Sequence, residues 1–368
     1  MPRPAATRNP TAKLPRPASA ADPSPAGAEA VSVQAPIPQS PALLGHAPPA
    51  PDLELADPSV KIYIGDCREK LSALLPTHRN SVALVFADPP FNWNRAYDEW
   101  NDSMPRGDYL EFTYAWLDLC HQLLKPGGSL WVNIPDDTCA EIVMHLKGRG
   151  LAMNNWCIWH YRFGQNTNTR FISSKVHTLW FVKGGAVHTW RPERVLELSD
   201  RATTYFDPRT MDKKDGMPAG KRVPMDVWYG QYWGRVQGNN KERRGYHDNQ
   251  LPEIYLDRVI KCSSDEGDLV LDPFLGSGTT GVMAHALKRR FIGTEFSEAN
   301  ARSSFERIQA GPTRAYDDVT GSAIFRPRNV GKKGLANVGR ADEAKGLLDA
   351  ASNLPQQAKR VRNGKKIV

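Results

Sequence analysis

Ser81 to Trp93 reads S-V-A-L-V-F-A-D-P-P-F-N-W, and it restricts the fold more than any other stretch. Val82 to Ala87 is a short apolar run with β-branched and aromatic members, the pattern of a strand buried on both faces of a parallel sheet. The run stops at Asp88, and Pro89 and Pro90 follow at once. Two prolines fix φ and remove two N–H donors, so the chain must leave the sheet as a stiff, extended turn. A carboxylate and backbone carbonyls then stand at the carboxyl end of a central strand, with the ring of Phe91 directly after them. Open α/β sheets bind ligands at that end. Acceptor oxygens from Asp88 and the proline carbonyls, beside a ring face, suit a flat aromatic group carrying an exocyclic NH2, such as a nucleobase. The competing reading is an ordinary strand exit.

A second segment, Asp268 to Gly293, supplies another strand exit. Leu269 to Leu271 reads as a strand, Asp272-Pro273-Phe274 leaves it, and Leu275-Gly276-Ser277-Gly278-Thr279 forms a small-residue turn that opens a helix. Glycines let the backbone approach a ligand closely, and free N–H groups with the helix dipole favour a carboxylate. Phe291 to Glu295 is the next strand, and Glu295 at its end is placed to accept from both hydroxyls of a ribose. A dinucleotide oxidoreductase uses the same acidic position. Its G-x-G-x-x-G fingerprint is incomplete here, because T-T-G-V follows Gly278.

D-P-P-F at 88–91 resembles the catalytic tetrapeptide of amino-directed DNA methyltransferases, which carry D-P-P-Y or D-P-P-F. Asp268 to Gly293 is similar to their S-adenosylmethionine-binding motif. The resemblance covers roughly residues 59–310, and the catalytic motif precedes the cofactor motif, as in the circularly permuted beta group. It implies a class I S-adenosylmethionine-dependent methyltransferase fold, α/β, with a doubly wound, mostly parallel seven-stranded sheet. It implies Asp88, Pro89, Pro90 and Phe91 as catalytic residues and S-adenosylmethionine as cofactor. Around that cofactor it sets Asp66, Cys67, Asp88, Asp272, Pro273, Phe274, Gly276, Ser277, Gly278, Thr279 and Glu295. Asp66 matches the family's acidic residue against the adenine amino group, and it also reads as an N-cap. Gly245 to Pro252 resembles the family's H-P-x-Q-K-P segment. His247, Gln250 and Pro252 match, which places His247 and Gln250 against cofactor. Asp248 and Leu251 depart, so no lysine is carried over.

The implied substrate is double-stranded DNA and the implied reaction is methyl transfer to the exocyclic amine of a flipped base. Adenine N6 is favoured because the tetrapeptide begins with Asp, whereas cytosine-N4 members more often show Ser. A cytosine-N4 DNA methyltransferase, an RNA methyltransferase and, from a different class, a non-catalytic DNA-binding protein on the same fold are the alternatives. Restriction-modification partnership and a homodimer are analogies from the family. No metal is expected, since no ligand cluster is visible and a sulfonium is already activated.

Along the chain, V-K-I-Y-I from Val60 is a strand and Arg68 to Leu75 a short helix. Asp108 reads as the N-cap of a helix whose stripe, Tyr109, Phe112, Trp116, Leu119 and Leu123, has core spacing. Pro126-Gly127-Gly128 breaks that helix, and Ser129 to Ile134 is a buried strand. Asp136 caps a helix to about Lys147. Met153 to Tyr161 and Val176 to Val182 are strands expected as an edge hairpin, and a helix runs through about Cys262. Catalytic and cofactor halves fall at 59–160 and 247–310. Between them, 161–246 mixes basic and aromatic residues, which resembles the family's target-recognition region. Arg162, Arg170, Lys175, Arg243 and Arg244 are the candidate nucleic-acid contacts. The plainer reading is an irregular insertion whose aromatics pack on the sheet.

The chain has 368 residues and a formal net charge of +8, which fits a polyanionic partner. Five cysteines, none in a C-x-x-C pair, point to a reducing cytosolic compartment rather than a disulfide or zinc framework. The expected location is therefore cytoplasmic and nucleoid-associated. No apolar run approaches the ~18 residues that span a bilayer, so no membrane is expected. Residues 1–58 hold 14 of the 29 prolines and read as disordered. Residues 311–368 read as an irregular tail ending in the basic run A-K-R-V-R-N-G-K-K-I-V.

Overall fold

Strand Val82–Ala87 is buried at every residue, and the sheet extends from it in both directions. The computed structural model describes residues 49–95, 100, 102–161, 164, 166–199, 201, 218–229, 233–236, 240–245, 249–313, 315–316 and 323–324. In chain order its first half holds β1 (Leu53–Leu55), β2 (Val60–Ile64), α1 (Cys67–His78), β3 (Val82–Ala87), α2 (Arg106–Leu123), β4 (Leu124–Ile134), α3 (Cys139–Gly148), β5 (Leu151–His160) and β6 (Lys175–Lys183). There follow β7 (Glu197–Leu198), β8 (Lys221–Arg222), β9 (Val227–Trp228), α4 (Glu253–Ser263), β10 (Leu269–Asp272), α5 (Thr279–Ala286), β11 (Arg290–Glu295) and α6 (Glu298–Ala310).

The main sheet runs β1-β2-β11-β10-β3-β4-β6-β5-β9. β2, β11, β10, β3 and β4 are mutually parallel neighbours, and β6 is antiparallel to both β4 and β5. The seven strands legible in the sequence form the body of this sheet, while β1 and the two-residue β9 extend its edges. The late strands β10 and β11 slot between β2 and β3. Crossovers therefore leave β3 and β10 in opposite directions, and a crevice opens between their carboxyl ends, where such sheets take ligands.

Alternation along β3 divides the core. Leu84 and Phe86 face α4, α5 and α6, whereas Val82, Val85 and Ala87 face α1, α2 and α3. Both faces are thus covered, which is why the strand reads as a continuous apolar run.

Several local expectations are corrected. Order begins before residue 59, because Leu53–Leu55 pairs with β2 and the Asp52 carboxylate accepts the Ile64 N–H at 2.7 Å. Helix α2 starts at Arg106 behind Pro105, so Asp108 lies in its first turn and is not the N-cap. β4 already begins at Leu124 and passes through Pro126-Gly127-Gly128 with a register slip. There, Gly127 takes φ 75°, and a Cβ would meet the Val187 carbonyl at 2.6 Å. Thr138, not Asp136, precedes α3; Asp136 instead holds Lys175 and His177. Within the interval 161–246, β6 is an interior strand of the sheet. Trp190, Trp228 and Trp233 of the same interval pack into the core.

Candidate active site

The turn after β3 lines a cavity of about 1430 Å³, counting its open mouth, with Asp88, Pro89, Pro90 and Phe91 on its wall. Asn133 Nδ2 donates to Asp88 Oδ1 at 3.1 Å. Burial pushes the Asp88 carboxyl up to about 6, against the Asn133 bond and the charge of Arg235. Tyr109 on α2 donates its hydroxyl to the Pro90 carbonyl at 2.9 Å. The Phe91 ring meets Trp93 edge-on, centroids 5.2 Å apart. The chain beyond closes on buried Asp102, whose carboxylate accepts the N–H groups of Asn92 (2.8 Å), Trp93 (3.0 Å) and Arg95 (3.0 Å).

On the other side of the crevice β10 delivers Asp272, which accepts the Phe274 N–H at 2.9 Å. Burial raises its carboxyl to about 7, the Thr280 and Phe274 bonds oppose that, and the charges of Asp88 and Glu295 add to it. At the end of β11, Glu295 accepts the Gly276 N–H at 2.8 Å and the Ser297 N–H at 3.1 Å. Burial raises this carboxyl also, against those backbone bonds. The glycine turn is braced from beneath by α6. Arg307 donates to the Ser277 carbonyl at 2.9 Å and to Thr279 Oγ1 at 2.8 Å, and Ser304 donates to the Gly276 carbonyl at 2.6 Å.

Asp66 closes β2 and caps α1 by accepting the Arg68 N–H at 2.8 Å. Burial works against ionisation of Asp66, but its hydrogen bonds from the Arg68 side chain and backbone prevail, so its pKa lies below the ordinary value. Cys67 is buried and also touches the cavity.

The structure thus brings Asp66, Cys67, the 88–91 tetrapeptide, Asp272, Pro273, Phe274, Gly276, Ser277, Thr279 and Glu295 around one cavity. Two expected members are not on its wall. Gln250 is buried, donating to the Glu242 carbonyl at 2.5 Å and accepting the Arg244 N–H at 2.9 Å; its amide is committed to the loop behind the site. Gly278 takes φ 76°, and a Cβ there would lie 2.9 Å from Ser304 Cβ, so its glycine serves the close approach of α6. His247 and Arg162 lie outside the described residues. Of the expected nucleic-acid contacts, Arg170 and Arg243 are exposed, Arg244 is half-buried, and Lys175 is paired with Asp136 beside the cavity residue Val176. Sequence reasoning missed Asn133, Trp159, Arg235 and Asn249. All but Asn133 line the cavity; Asn249 stands at the variable position of the Gly245–Pro252 segment, and the other three belong to no contiguous motif. Arg235 lies over the Tyr161 ring at 4.1 Å.

Among the described residues no cluster of three or more His, Cys, Asp or Glu could hold a metal ion, and no helix is long and apolar enough to cross a membrane. All five cysteines are buried free thiols.

A doubly wound sheet that gathers D-P-P-F, an acidic strand end and a glycine turn around one crevice defines an amino-directed methyltransferase of the class I fold. The chain belongs to the DNA methylase family of N6 and N4 methyltransferases, whose pattern matches residues 82–306. That family takes its methyl group from S-adenosylmethionine. The chain is 35% identical over 238 residues to the type II methyltransferase M.BamHI of Bacillus amyloliquefaciens, covering 64% of this chain and 54% of that enzyme. It thus spans about half of that relative's length. It is 29% identical over 245 residues to M.HpaI of Haemophilus parainfluenzae, covering 66% and 73%. The solved M1.HpyAVI–SAM complex resembles it with a TM-score of 0.48 at 19% identity, covering 68% of this chain and 98% of that one.

Proposed function

We propose that this chain is a site-specific DNA methyltransferase acting on the exocyclic amine of a base flipped from double-stranded DNA, adenine N6 ahead of cytosine N4. One observation carries the reading: Asp88 and its proline turn share a single cavity with Glu295 and the Gly276 turn. The residues present fit the cofactor. Glu295 would accept from the ribose hydroxyls, Asp66 from the adenine amino group, and the turn through Gly276, Ser277 and Thr279 would receive the methionine carboxylate. When bound, S-adenosylmethionine supplies an electrophilic methyl group on a sulfonium.

The chain's own part is to prepare the amine, whose lone pair is conjugated with the ring. Asp88 and the Pro89 carbonyl accept its two hydrogens, which aims the lone pair and stabilises charge developing on nitrogen. Pro90 is occupied by Tyr109, so Pro89 is the carbonyl assigned to the amine. Phe91 stacks on the flipped base, whose extrusion costs a few kcal/mol. A carboxyl raised to about 6 can hold the departing proton. Arg170, Arg243 and Arg244 are proposed to meet phosphates of the DNA, with the enzyme acting on chromosomal DNA in the cytoplasm.

The test is transfer of labelled methyl from S-adenosylmethionine to unmethylated genomic DNA, followed by nucleoside mass spectrometry. N6-methyladenine supports the whole reading, N4-methylcytosine overturns the base assignment alone, and no product on DNA overturns the reading.

A further inference from the structure

Behind Asp88 lie three polar side chains that the proposed transfer does not touch. Asn133 on β4, Thr178 on β6 and Tyr255 on α4 are fully buried. The register of β3 on β4 sets Ala87 against Val132, so the next residue on each strand brings Asn133 beside Asp88. Asn133 Oδ1 lies 3.1 Å from Thr178 Oγ1 and 2.6 Å from the Tyr255 hydroxyl, and the two hydroxyls are 2.6 Å apart. The surroundings are aromatic: Phe86, Trp159 and Trp228 all stand edge-on to Tyr255.

Two hydroxyl hydrogens serve these three contacts: both hydroxyls donate to Asn133 Oδ1, or one does and the other donates to that hydroxyl. In every arrangement Asn133 Oδ1 is an acceptor. The amide can then face Asp88 only with its NH2, and a wrongly turned amide would bury unpaired polar atoms.

We propose that Asn133 is a positioning residue for Asp88: held by Thr178 and Tyr255, it fixes carboxylate Oδ1 and leaves Oδ2 to receive the amine. This inference rests on the methyl-transfer reading. Other ionisable groups face the same carboxylate. Arg235 favours its charged form. Asp272 at the end of β10 is repelled by it. Tyr255 stays neutral, because burial holds its pKa well above the ordinary value. Arg95 and Glu295 line the same cavity. Asn133 is the neutral donor among them, so removing it favours the protonated Asp88.

The full chain is assayed for kcat against pH on unmethylated DNA, and the Asp88 carboxyl is titrated by carbon NMR in the free protein. Asn133→Leu is expected to lower kcat about ten- to a hundredfold at neutral pH. Its acid limb and the Asp88 midpoint move up together, while cofactor Kd stays within about threefold. Asn133→Asp moves both further, because two adjacent carboxylates share a proton. Tyr255→Phe moves them less, in the same direction. A folded Asn133→Leu with an unmoved midpoint and kcat within about threefold of wild type overturns the inference; should it not fold, Asn133→Ser decides by the same readouts. A wild type that moves no methyl to DNA overturns the transfer reading instead, and the NMR midpoint still decides whether Asn133 governs Asp88.

Discussion

The hydroxyl of Tyr109 donates to the carbonyl of Pro90 across 2.9 Å, so a helix that looks purely structural holds the second proline of the D-P-P-F turn. Removing that hydroxyl leaves a part-buried carbonyl short of a donor, at a cost of about 1 kcal/mol. Tyr109→Phe should lower folding stability by that amount in urea melts and reduce kcat severalfold, with cofactor affinity unchanged. A loss of stability with an unaltered rate would show that the turn needs no anchor at Pro90.

Asp88→Ala should abolish methyl transfer while the folded protein still binds cofactor. The carboxylate is the charged acceptor available to the amine, and strong catalytic acceptors act where charge develops. Activity within tenfold of wild type would remove Asp88 from the catalytic role.

Cofactor affinity should depend on pH. Burial raises Asp88 to about 6 and Asp272 to about 7, from an ordinary 3.8, and raises Glu295 in the same direction. Raised carboxyls favour the folded state while protonated, so in the free protein that contribution is lost as pH rises from about 4 to about 7. A bound sulfonium reverses the preference by stabilising the carboxylates. Affinity should therefore rise with pH through about 6 to 7, and binding near pH 6.5 should release protons. Calorimetry in buffers of different ionisation enthalpy measures the release; zero release with flat affinity would sink this account.

The parts of the site legible in the sequence are those a short stretch specifies by itself. An apolar run followed by Asp88 and two prolines can end only as a strand exit, and the glycine turn before α5 announces itself the same way. The rest comes from distant pieces meeting. Asn133 reads as one polar residue in a buried strand, and only the β3–β4 register puts it on Asp88. Arg235 and Asn249 arrive from loops with no periodicity. Gln250 shows the opposite failure: it fits a motif by spacing, yet its amide is spent on Glu242 and Arg244. Asp136 likewise had the composition of a helix cap, but Lys175 and His177 on the neighbouring strand compete for it.

The cofactor turn should fail through its brace. Arg307 and Glu253 form an ion pair at 3.2 Å with side chains 1% and 0% exposed, and Glu253 also accepts the Thr313 N–H. Arg307→Met leaves a buried carboxylate without that cation, which costs about 3–5 kcal/mol and lowers Tm on the order of 10 °C. It also takes the donor from the Ser277 carbonyl and Thr279 Oγ1, so cofactor affinity should fall together with stability. Pairing it with Glu253→Met removes the stranded charge and should recover much of the Tm, because a buried pair gains little over apolar side chains of similar volume. Affinity should stay low, since the turn still lacks its donor. If the double variant regains cofactor binding along with stability, the brace is a folding element only, and the turn keeps its shape without Arg307.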